Sequence, residues 1–274
     1  MRRVARLPAA VAVRAGVAVL AGVAVLAGVA VLAGCGDGKP AAVPSPVSLP
    51  SSAAGVDCAA DAVAGKQVRF GARGASDLGG VLFGTGHVGI VFAHQAAGNV
   101  CDWAAYAKEM SRRRYRTLVF DFSGSFSSSG ATNDLITDVA AAAAFLRGAG
   151  VDTVVLAGAS MGGTSVITAA TTIQPPVAGV IALSAVQTWL GVNATTAAPK
   201  LTVPALYLVG QHDRSVSDAQ ALQAATPAAL GKLVIVDAAS HGVGLLKPNS
   251  FDGEAAAKTV RAEIDGFLAR VAPA

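Results

Sequence analysis

The chain has 274 residues, a length that fits one large domain or two small ones, and 53% of its residues are hydrophobic while only 14% are charged. Its formal net charge of +4 belongs to the N-terminus: the first 34 residues hold four Arg and no acid, so the remainder carries 4 − 4 = 0. A neutral remainder without a basic block argues against nucleic acid as a partner.

The N-terminus has the pattern of an export signal. Four arginines precede an apolar run that ends in Leu32-Ala33-Gly34-Cys35. A basic start, an apolar core and a small-residue cleavage site predict a secretory signal over residues 1–34. The segment Leu32-Ala33-Gly34-Cys35 resembles the lipobox of bacterial lipoproteins. This resemblance implies a lipidated Cys35 and a protein anchored to the outer face of the bacterial cell membrane. The alternative is a transmembrane anchor, because 15–34 is long enough to span a bilayer.

Residues 35–54 carry four of the twelve prolines together with Ser and Ala, which predicts a flexible tether ahead of a folded domain at 55–274. With Cys35 assigned to the lipid, Cys58 and Cys101 remain. In an oxidising compartment this pair predicts one disulfide; two buried free thiols are the alternative.

Strands and helices alternate along the domain. Helices are expected from Cys101 to about Arg113, from a cap at 132–134 to about Gly148, after Ser160, from Asp218, and over 254–271. Strands are expected at 66–72, 79–83, 87–93, 115–121, 151–159, 177–184, 203–210 and 232–237. This alternation predicts an α/β fold, a mostly parallel sheet with helices on both faces.

A glycine-rich segment at 84–89 formally matches the dinucleotide fingerprint G-x-G-x-x-G. The fingerprint requires a strand before it and a helix after it, whereas here a strand follows. We therefore interpret 84–89 as a hairpin turn and expect no cofactor.

The segment Gly158-Ala159-Ser160-Met161-Gly162 matches G-x-S-x-G between a buried-type strand and a helix. A serine on such a tight turn has strained backbone angles, and a Cβ two positions before or after it would collide with neighbouring elements. The pattern predicts that Ser160 is a nucleophile.

A nucleophilic serine needs a base, and the base needs a carboxylate that orients it. In a parallel sheet such groups meet in the loops at the carboxyl ends of strands. Asp213 follows the strand at 203–210 and His241 follows the strand at 232–237, so the predicted triad is Ser160, Asp213 and His241. Asp218 is the rival acid.

The order nucleophile, acid, histidine is that of the α/β-hydrolase superfamily, which the chain resembles from Gly65 to its C-terminus. The resemblance also rests on I-V-F-A-H-Q at 90–95, Y-R-T-L-V-F-D-F-S-G at 115–124, V-P-A-L-Y-L-V-G-Q-H-D at 203–213 and S-H-G at 240–242. The sequence departs from the superfamily where His94-Gln95 replaces His-Gly, and where Ser123 and Ser125 replace Arg and Gly.

The resemblance implies roles for further residues. The backbone N–H groups of Gln95 and Met161 would form an oxyanion hole. His94 is interpreted as a structural hydrogen-bonding residue, and His212 beside Asp213 lacks a third ligand at suitable spacing, so no metal is expected. Three aromatic residues are candidates for an acyl pocket or for closing the core: Phe122, Phe126 and Trp189.

A serine nucleophile indicates acyl transfer to water, as in carboxylesterases and dienelactone-hydrolase-like proteins. Residues 185–202, where a lid is usually inserted, are too few for a cap domain, so we expect an open site for small, accessible esters on a monomer. Two alternatives stay open: a catalytically inactive binding lipoprotein, and a peptidase or acyltransferase with the same triad.

Overall fold

The computed structural model describes residues 65–71, 77–129, 134–250 and 252–274. The predicted signal at 1–34, the tether at 35–54, Cys35 and Cys58 lie outside the described residues and stay predictions. In the described part of the chain, no helix has the length and apolar character needed to cross a bilayer.

Eight strands form the central sheet: β1 (Lys66–Phe70), β2 (Leu78–Phe83), β3 (Val88–Ala93), β4 (Tyr115–Phe120), β5 (Thr153–Ala159), β6 (Gly179–Leu183), β9 (Ala205–Gly210) and β10 (Gly231–Val236). Their spatial order is β1-β2-β4-β3-β5-β6-β9-β10. The first two pairings, β1 with β2 and β2 with β4, are antiparallel, and all the others are parallel. The prediction of a mostly parallel sheet is therefore confirmed.

Helices cover both faces of this sheet, as predicted. They are α1 (Cys101–Arg112), α2 (Leu135–Gly148), α3 (Met161–Ala169), α4 (Ala194–Ala197), α5 (Val216–Ala225) and α6 (Gly253–Val271). Successive side chains of a strand point to opposite faces, so Val91 of β3 enters one apolar cluster with α2 and α3, while Phe92 enters another with α1 and α6. Every predicted helix is present, and α5 begins two residues before the predicted start at Asp218.

The prediction of a hairpin turn at 84–89 is wrong. β2 and β3 are not neighbours in the sheet: both pair with β4, on opposite sides of it. The connection between them crosses the start of β4 closely, because a Cβ on Gly84 would lie 2.4 Å from the carbonyl oxygen of Tyr115, and one on Gly86 would overlap that of Arg114. These glycines serve a crossover between separated strands.

The connection between β6 and β9 is short, and no cap domain is present in it, as predicted. It contains a two-stranded hairpin that the sequence did not predict, formed by β7 (Thr188–Trp189) and β8 (Val192–Asn193), followed by α4 and a single 3₁₀ turn (Ala198–Lys200). The carboxyl edge of the sheet between β5 and β9 is therefore not covered by an inserted domain.

Candidate active site

Ser160 occupies the single residue between β5 and α3 and has a strained backbone, with φ 48° and ψ −115°. Positive φ is uncommon for a residue with a side chain and is found at sites where the surrounding structure enforces it. Here the Ser160 N–H donates to the carbonyl of Leu183 at 2.8 Å, which ties the turn to β6. Only 6% of the Ser160 surface is exposed.

The two glycines of the pentapeptide are required by close backbone packing. A Cβ on Gly158 would lie 2.3 Å from the carbonyl oxygen of Gly162, and a Cβ on Gly162 would lie 2.3 Å from that of Ala93 and 2.6 Å from that of His94. The start of α3 therefore lies directly against the loop that leaves β3. This contact brings the segment that carries Gln95 next to Ser160.

Asp213 and His241 are hydrogen-bonded to each other. The His241 Nδ1 lies 2.9 Å and 3.0 Å from the two carboxylate oxygens of Asp213. Asp213 is 5% exposed, whereas the His241 side chain is 42% exposed. The rival acid Asp218 instead accepts a hydrogen bond from the side-chain amide of Gln187 at 2.8 Å, so Asp213 is the carboxylate that faces the histidine.

The backbone on either side of His241 is fixed by side chains from elsewhere in the chain. Before it, the Asp252 carboxylate accepts the N–H groups of Ala239 and Ser240 at 2.6 Å and 2.9 Å. After it, the Gln95 side-chain oxygen accepts the N–H of Val243 at 3.3 Å, and the Ser184 hydroxyl accepts the N–H of Gly242 at 2.9 Å. Sequence reasoning identified Gln95 but missed Asp252 and Ser184.

The chain segments that carry His241 and Ser160 lie close to each other. A Cβ on Gly242 would lie 3.2 Å from the Ala159 Cβ, so the residue after His241 packs against the residue before Ser160. Among the hydrogen bonds of the described residues, none joins the Ser160 hydroxyl to the His241 ring. Catalytic hydrogen bonds are often long in the free enzyme and shorten when substrate binds.

The pKa of Asp213 is below its usual value. Burial alone would raise it, but hydrogen bonds from His241, from the Ser184 hydroxyl and from the Ser215 N–H, together with the charge of His241, outweigh the burial. Asp213 is therefore a carboxylate at neutral pH, and a carboxylate can accept a hydrogen bond from the N–H of a histidine.

His94 hydrogen-bonds to the backbone on both sides of its ring. Its Nδ1 lies 2.8 Å from the carbonyl oxygen of Gln95, and its Nε2 accepts the N–H of Phe122 at 3.2 Å. Burial lowers the pKa of His94, against the opposing effects of the Gln95 carbonyl, Asp121 and Asp102. A neutral ring with its proton on Nδ1 satisfies both contacts, which fits a structural role.

The two predicted oxyanion donors lie on the two segments that meet at Gly162. Met161 begins α3 directly after Ser160, and Gln95 follows His94 in the loop after β3. In the part of the chain that the structure describes, neither backbone N–H donates to a backbone carbonyl. Both groups thus remain candidates for the oxyanion hole.

The three candidate pocket residues differ in their surroundings. Phe122 is buried in the core, where its ring packs against those of His94 and Phe120. Phe126 is 64% exposed, and Trp189 lies in the β7–β8 hairpin and packs against the core cluster on the α3 side of the sheet. Phe122 thus fits the core-closing alternative.

Two further residues considered in the sequence, His212 and Cys101, take no part in the hydrogen bond between Asp213 and His241. His212 is near the Asp237 carboxylate, at 3.4 Å, on the surface, and the described residues contain no cluster of His, Cys, Asp or Glu suited to a metal. Cys101 is disulfide-bonded. Its pairing with Cys58, which lies outside the described residues, stays a prediction.

Comparison with known proteins gives the same architecture. A family profile described as alpha/beta hydrolase fold matches residues 89–201, which include β3, β5, Ser160 and α3. The chain has the α/β-hydrolase fold. The predicted fold class is thereby confirmed.

Solved structures with this fold include several esterases. One from Pyrococcus furiosus superposes with a TM-score of 0.64 at 16% identity, covering 75% of this chain and 90% of that one. A thermophilic esterase from Thermogutta terrifontis gives 0.60 at 18%, covering 75% and 99%, and an esterase from Rhodococcus gives 0.60 at 15%, covering 75% and 99%. No curated protein sequence matches the chain. At these identities the likeness establishes the fold.

Proposed function

We propose that this protein is a serine hydrolase that cleaves carboxylic esters through an acyl-enzyme. The observation that carries the proposal is the Asp213–His241 hydrogen bond, in the loops after β9 and β10, beside the strained Ser160. A carboxylate that orients a histidine, next to a serine forced onto a turn, is the combination that activates a hydroxyl.

In the proposed reaction, the Ser160 Oγ attacks the ester carbonyl carbon while His241 Nε2 takes the hydroxyl proton. The carbonyl oxygen becomes negative and accepts the N–H groups of Gln95 and Met161. His241 then gives its proton to the departing alkoxide, which leaves as an alcohol. Water attacks the acyl-enzyme by the same route in reverse, and the acid is released with Ser160 restored. Asp213 stays ionised and stabilises the His241 cation.

The substrate class follows from the surroundings of Ser160. Among the described residues, the connection between β6 and β9 holds only the β7–β8 hairpin, α4 and a 3₁₀ turn, so it inserts no domain over the site. An open site suits small or accessible esters. The esterases among the similar structures support ester substrates in general.

The test uses the full-length chain in detergent, a fluorophosphonate probe, and nitrophenyl esters of short acids. Wild type is expected to be labelled and to hydrolyse the esters, and Ser160→Ala is expected to lose both. Ser165→Ala is the matched control, because Ser165 is a buried serine in α3 whose hydroxyl donates only to the Met161 carbonyl. It should be labelled like wild type.

Three other outcomes would contradict parts of the proposal. A folded wild type that is neither labelled nor active would favour a binding protein with this fold. Labelling that persists in Ser160→Ala would place the nucleophile elsewhere. Faster turnover of a peptide amide, or acyl transfer to an added alcohol in preference to water, would assign the same triad to a peptidase or an acyltransferase.

We also propose that the protein is exported and lipid-anchored through Cys35, on the strength of the Leu-Ala-Gly-Cys sequence at the end of the apolar run. Mass spectrometry of the mature N-terminus tests this proposal. A diacylated Cys35 at the first position is the expected result. An intact leader with an unmodified Cys35 would favour the transmembrane anchor instead.

A further inference from the structure

Ser184 lies directly after β6, between the strands that lead to Ser160 and to Asp213. It is fully buried, and its N–H donates to the Leu208 carbonyl of β9 at 2.8 Å. The neighbouring Leu183 carbonyl accepts the Ser160 N–H. The end of β6 is therefore hydrogen-bonded to Ser160, which follows β5, and to β9, which leads to Asp213.

Ser184, like Ser160, has a positive φ. Its φ of 49° is in the left-handed region, which favours glycine, yet a serine stands there. A non-glycine residue in this region costs free energy that the surrounding structure must offset. A glycine would adopt this conformation more easily, so what the serine adds at this position is its side chain.

The hydroxyl of Ser184 is hydrogen-bonded to the backbone next to His241, and it also affects the pKa of Asp213. Its oxygen accepts the N–H of Gly242, the residue after His241, at 2.9 Å. The hydroxyl has one hydrogen of its own to donate, and hydrogen bonding from Ser184 is one of the causes that lower the pKa of Asp213. One buried hydroxyl thus connects the carboxylate to the backbone that carries the histidine.

We propose that Ser184 is a positioning residue for catalysis, which holds the Asp213 carboxylate and the His241 backbone in register through one hydroxyl. The proposal rests on the proposed function of the triad. Ser184 touches no substrate in this arrangement and acts through Asp213 and His241. Its loss would leave the Gly242 N–H without its acceptor and Asp213 with one donor fewer.

The test compares Ser184→Gly and Ser184→Ala with wild type and with the Ser165→Ala control, all as full-length chains. Ser184→Ala removes only the hydroxyl and keeps the Cβ at the positive φ, whereas Ser184→Gly also removes the Cβ and relieves the strain. A loss that both variants share is therefore due to the hydroxyl and its hydrogen bonds. For both Ser184 variants we expect kcat to fall about ten- to a hundredfold, the range for loss of a hydrogen bond to a charged group. KM should change less than about twofold, because ground-state binding does not involve Ser184.

The pH profile and a second background distinguish positioning from a purely structural role. The acid limb of the kcat/KM profile belongs to the hydrogen-bonded pair of His241 and Asp213. With one donor fewer, the Asp213 carboxylate is more basic and the pair holds its proton more tightly, so the acid limb should move to higher pH in both Ser184 variants. In an Asp213→Asn background, Ser184→Gly should have little further effect on the rate of fluorophosphonate labelling. Non-additivity of this kind is the signature of residues that act as one unit.

Two results would overturn the proposal. One is a folded Ser184→Gly with wild-type kcat and an unmoved acid limb. The other is an equal loss of labelling rate in the wild-type and Asp213→Asn backgrounds, which would show that Ser184 acts independently of Asp213. If wild type itself shows no Ser160-dependent activity, the proposed function fails. An active wild type with unaffected Ser184 variants rejects only the role of Ser184.

Discussion

At the scale of single residues, two carboxylates compete for the role of the acid, and they are distinguished by their partners. Asp213 is hydrogen-bonded to His241, whereas Asp218, five residues later, is hydrogen-bonded to Gln187. Both follow β9 closely, so their spacing in the sequence does not separate them. The tight turn Gly210–Asp213, closed by the Asp213 N–H to the Gly210 carbonyl, directs the earlier of the two toward the histidine.

This difference predicts opposite outcomes for two matched substitutions. Asp213→Asn should lower kcat by about a thousandfold or more, because a neutral amide neither holds the histidine tautomer nor stabilises its cation. Asp218→Asn should retain activity within about threefold, since it changes only the contact with Gln187. The kcat of both on a nitrophenyl ester checks the assignment. A larger loss in Asp218→Asn would transfer the acid role to that residue.

Gln95 has a side-chain function beside the backbone function proposed for it. Its side-chain oxygen accepts the N–H of Val243, two residues after His241. Gln95→Ala keeps the backbone N–H but leaves that of Val243 without its partner, so we expect kcat to fall a few-fold and the free energy of unfolding to fall by about 1 kcal/mol.

Urea unfolding and ester turnover of Gln95→Ala check both expectations. Gln211→Ala, the removal of an exposed glutamine from the loop that contains Asp213, is the control and should match wild type. Loss of all activity in Gln95→Ala would mean that the side chain itself takes part in the chemistry, contrary to the backbone assignment.

The sequence predicted that Asp213 and His241 lie together, because the type and the position after a strand are informative for both residues, and the two are hydrogen-bonded. It could not select Ser184 or Asp252, because serine and aspartate are common at loop positions and their contacts cross 58 and 12 or 13 residues of chain. The strand end at Ser184 was predictable. Its hydrogen bond with Gly242 required the three-dimensional arrangement of β6 and β10.

At the scale of elements, the strand–serine–helix unit depends on the close approach of α3 to the loop after β3. Gly162→Ala would force a methyl group against the carbonyl oxygens of Ala93 and His94. Since backbone on both sides resists movement, we expect a loss of about 1–3 kcal/mol in the free energy of unfolding, together with a fall in kcat as the Gln95 segment is displaced.

Gly148→Ala is the matched control for that substitution. Gly148 is the last residue of α2, and nothing lies within 4 Å of a Cβ built on it. Alanine favours helix over glycine by about 0.5–1 kcal/mol, so this variant should equal or exceed wild type in stability. Urea midpoints of the two variants check the contrast. Equal stability of Gly162→Ala and wild type would show that the neighbouring backbone can move to accommodate the methyl group without lowering the free energy of unfolding.

Elements with strong local patterns were predictable, and those defined by contacts between distant strands were not. Alternating apolar strands and helices identified every member of the sheet. The glycines at 84–86 looked like a hairpin because the sequence does not reveal that β4 lies between β2 and β3. The β7–β8 hairpin consists of two residues on each side, too short for any periodicity to indicate it.

At the scale of the whole molecule, the sheet separates two apolar clusters, and the site lies at the sheet edge where both end. One cluster contains Met161 and Phe122, and the other contains Ala159, Val243 and Leu245. The segments on either side of Ser160 and His241 are therefore anchored in the core. Positioning of the site and stability of the fold depend on the same packing, so conditions that loosen the core should also inactivate the protein.

Mild acid is such a condition, because the buried His94 ring must stay neutral in the folded state. Burial lowers the pKa of His94 below the value of 6.5 that applies to an unfolded chain, so between these values the unfolded state binds more protons. The contribution of the neutral His94 ring to the free energy of unfolding is then fully present above about pH 6.5. It is lost as the pH decreases toward the folded pKa, by up to about 1.4 kcal/mol per pH unit for one proton.

Urea unfolding at pH 7 and pH 5 measures this loss. His94→Gln has a lower stability at pH 7 but should show a smaller loss between the two pH values, because glutamine does not titrate. His87→Gln is the control: the His87 side chain is 83% exposed, so this variant should keep the pH dependence of wild type. An unchanged loss in His94→Gln would assign the acid sensitivity to other groups, and it would leave His94 with only its hydrogen bonds to the Gln95 and Phe122 backbone.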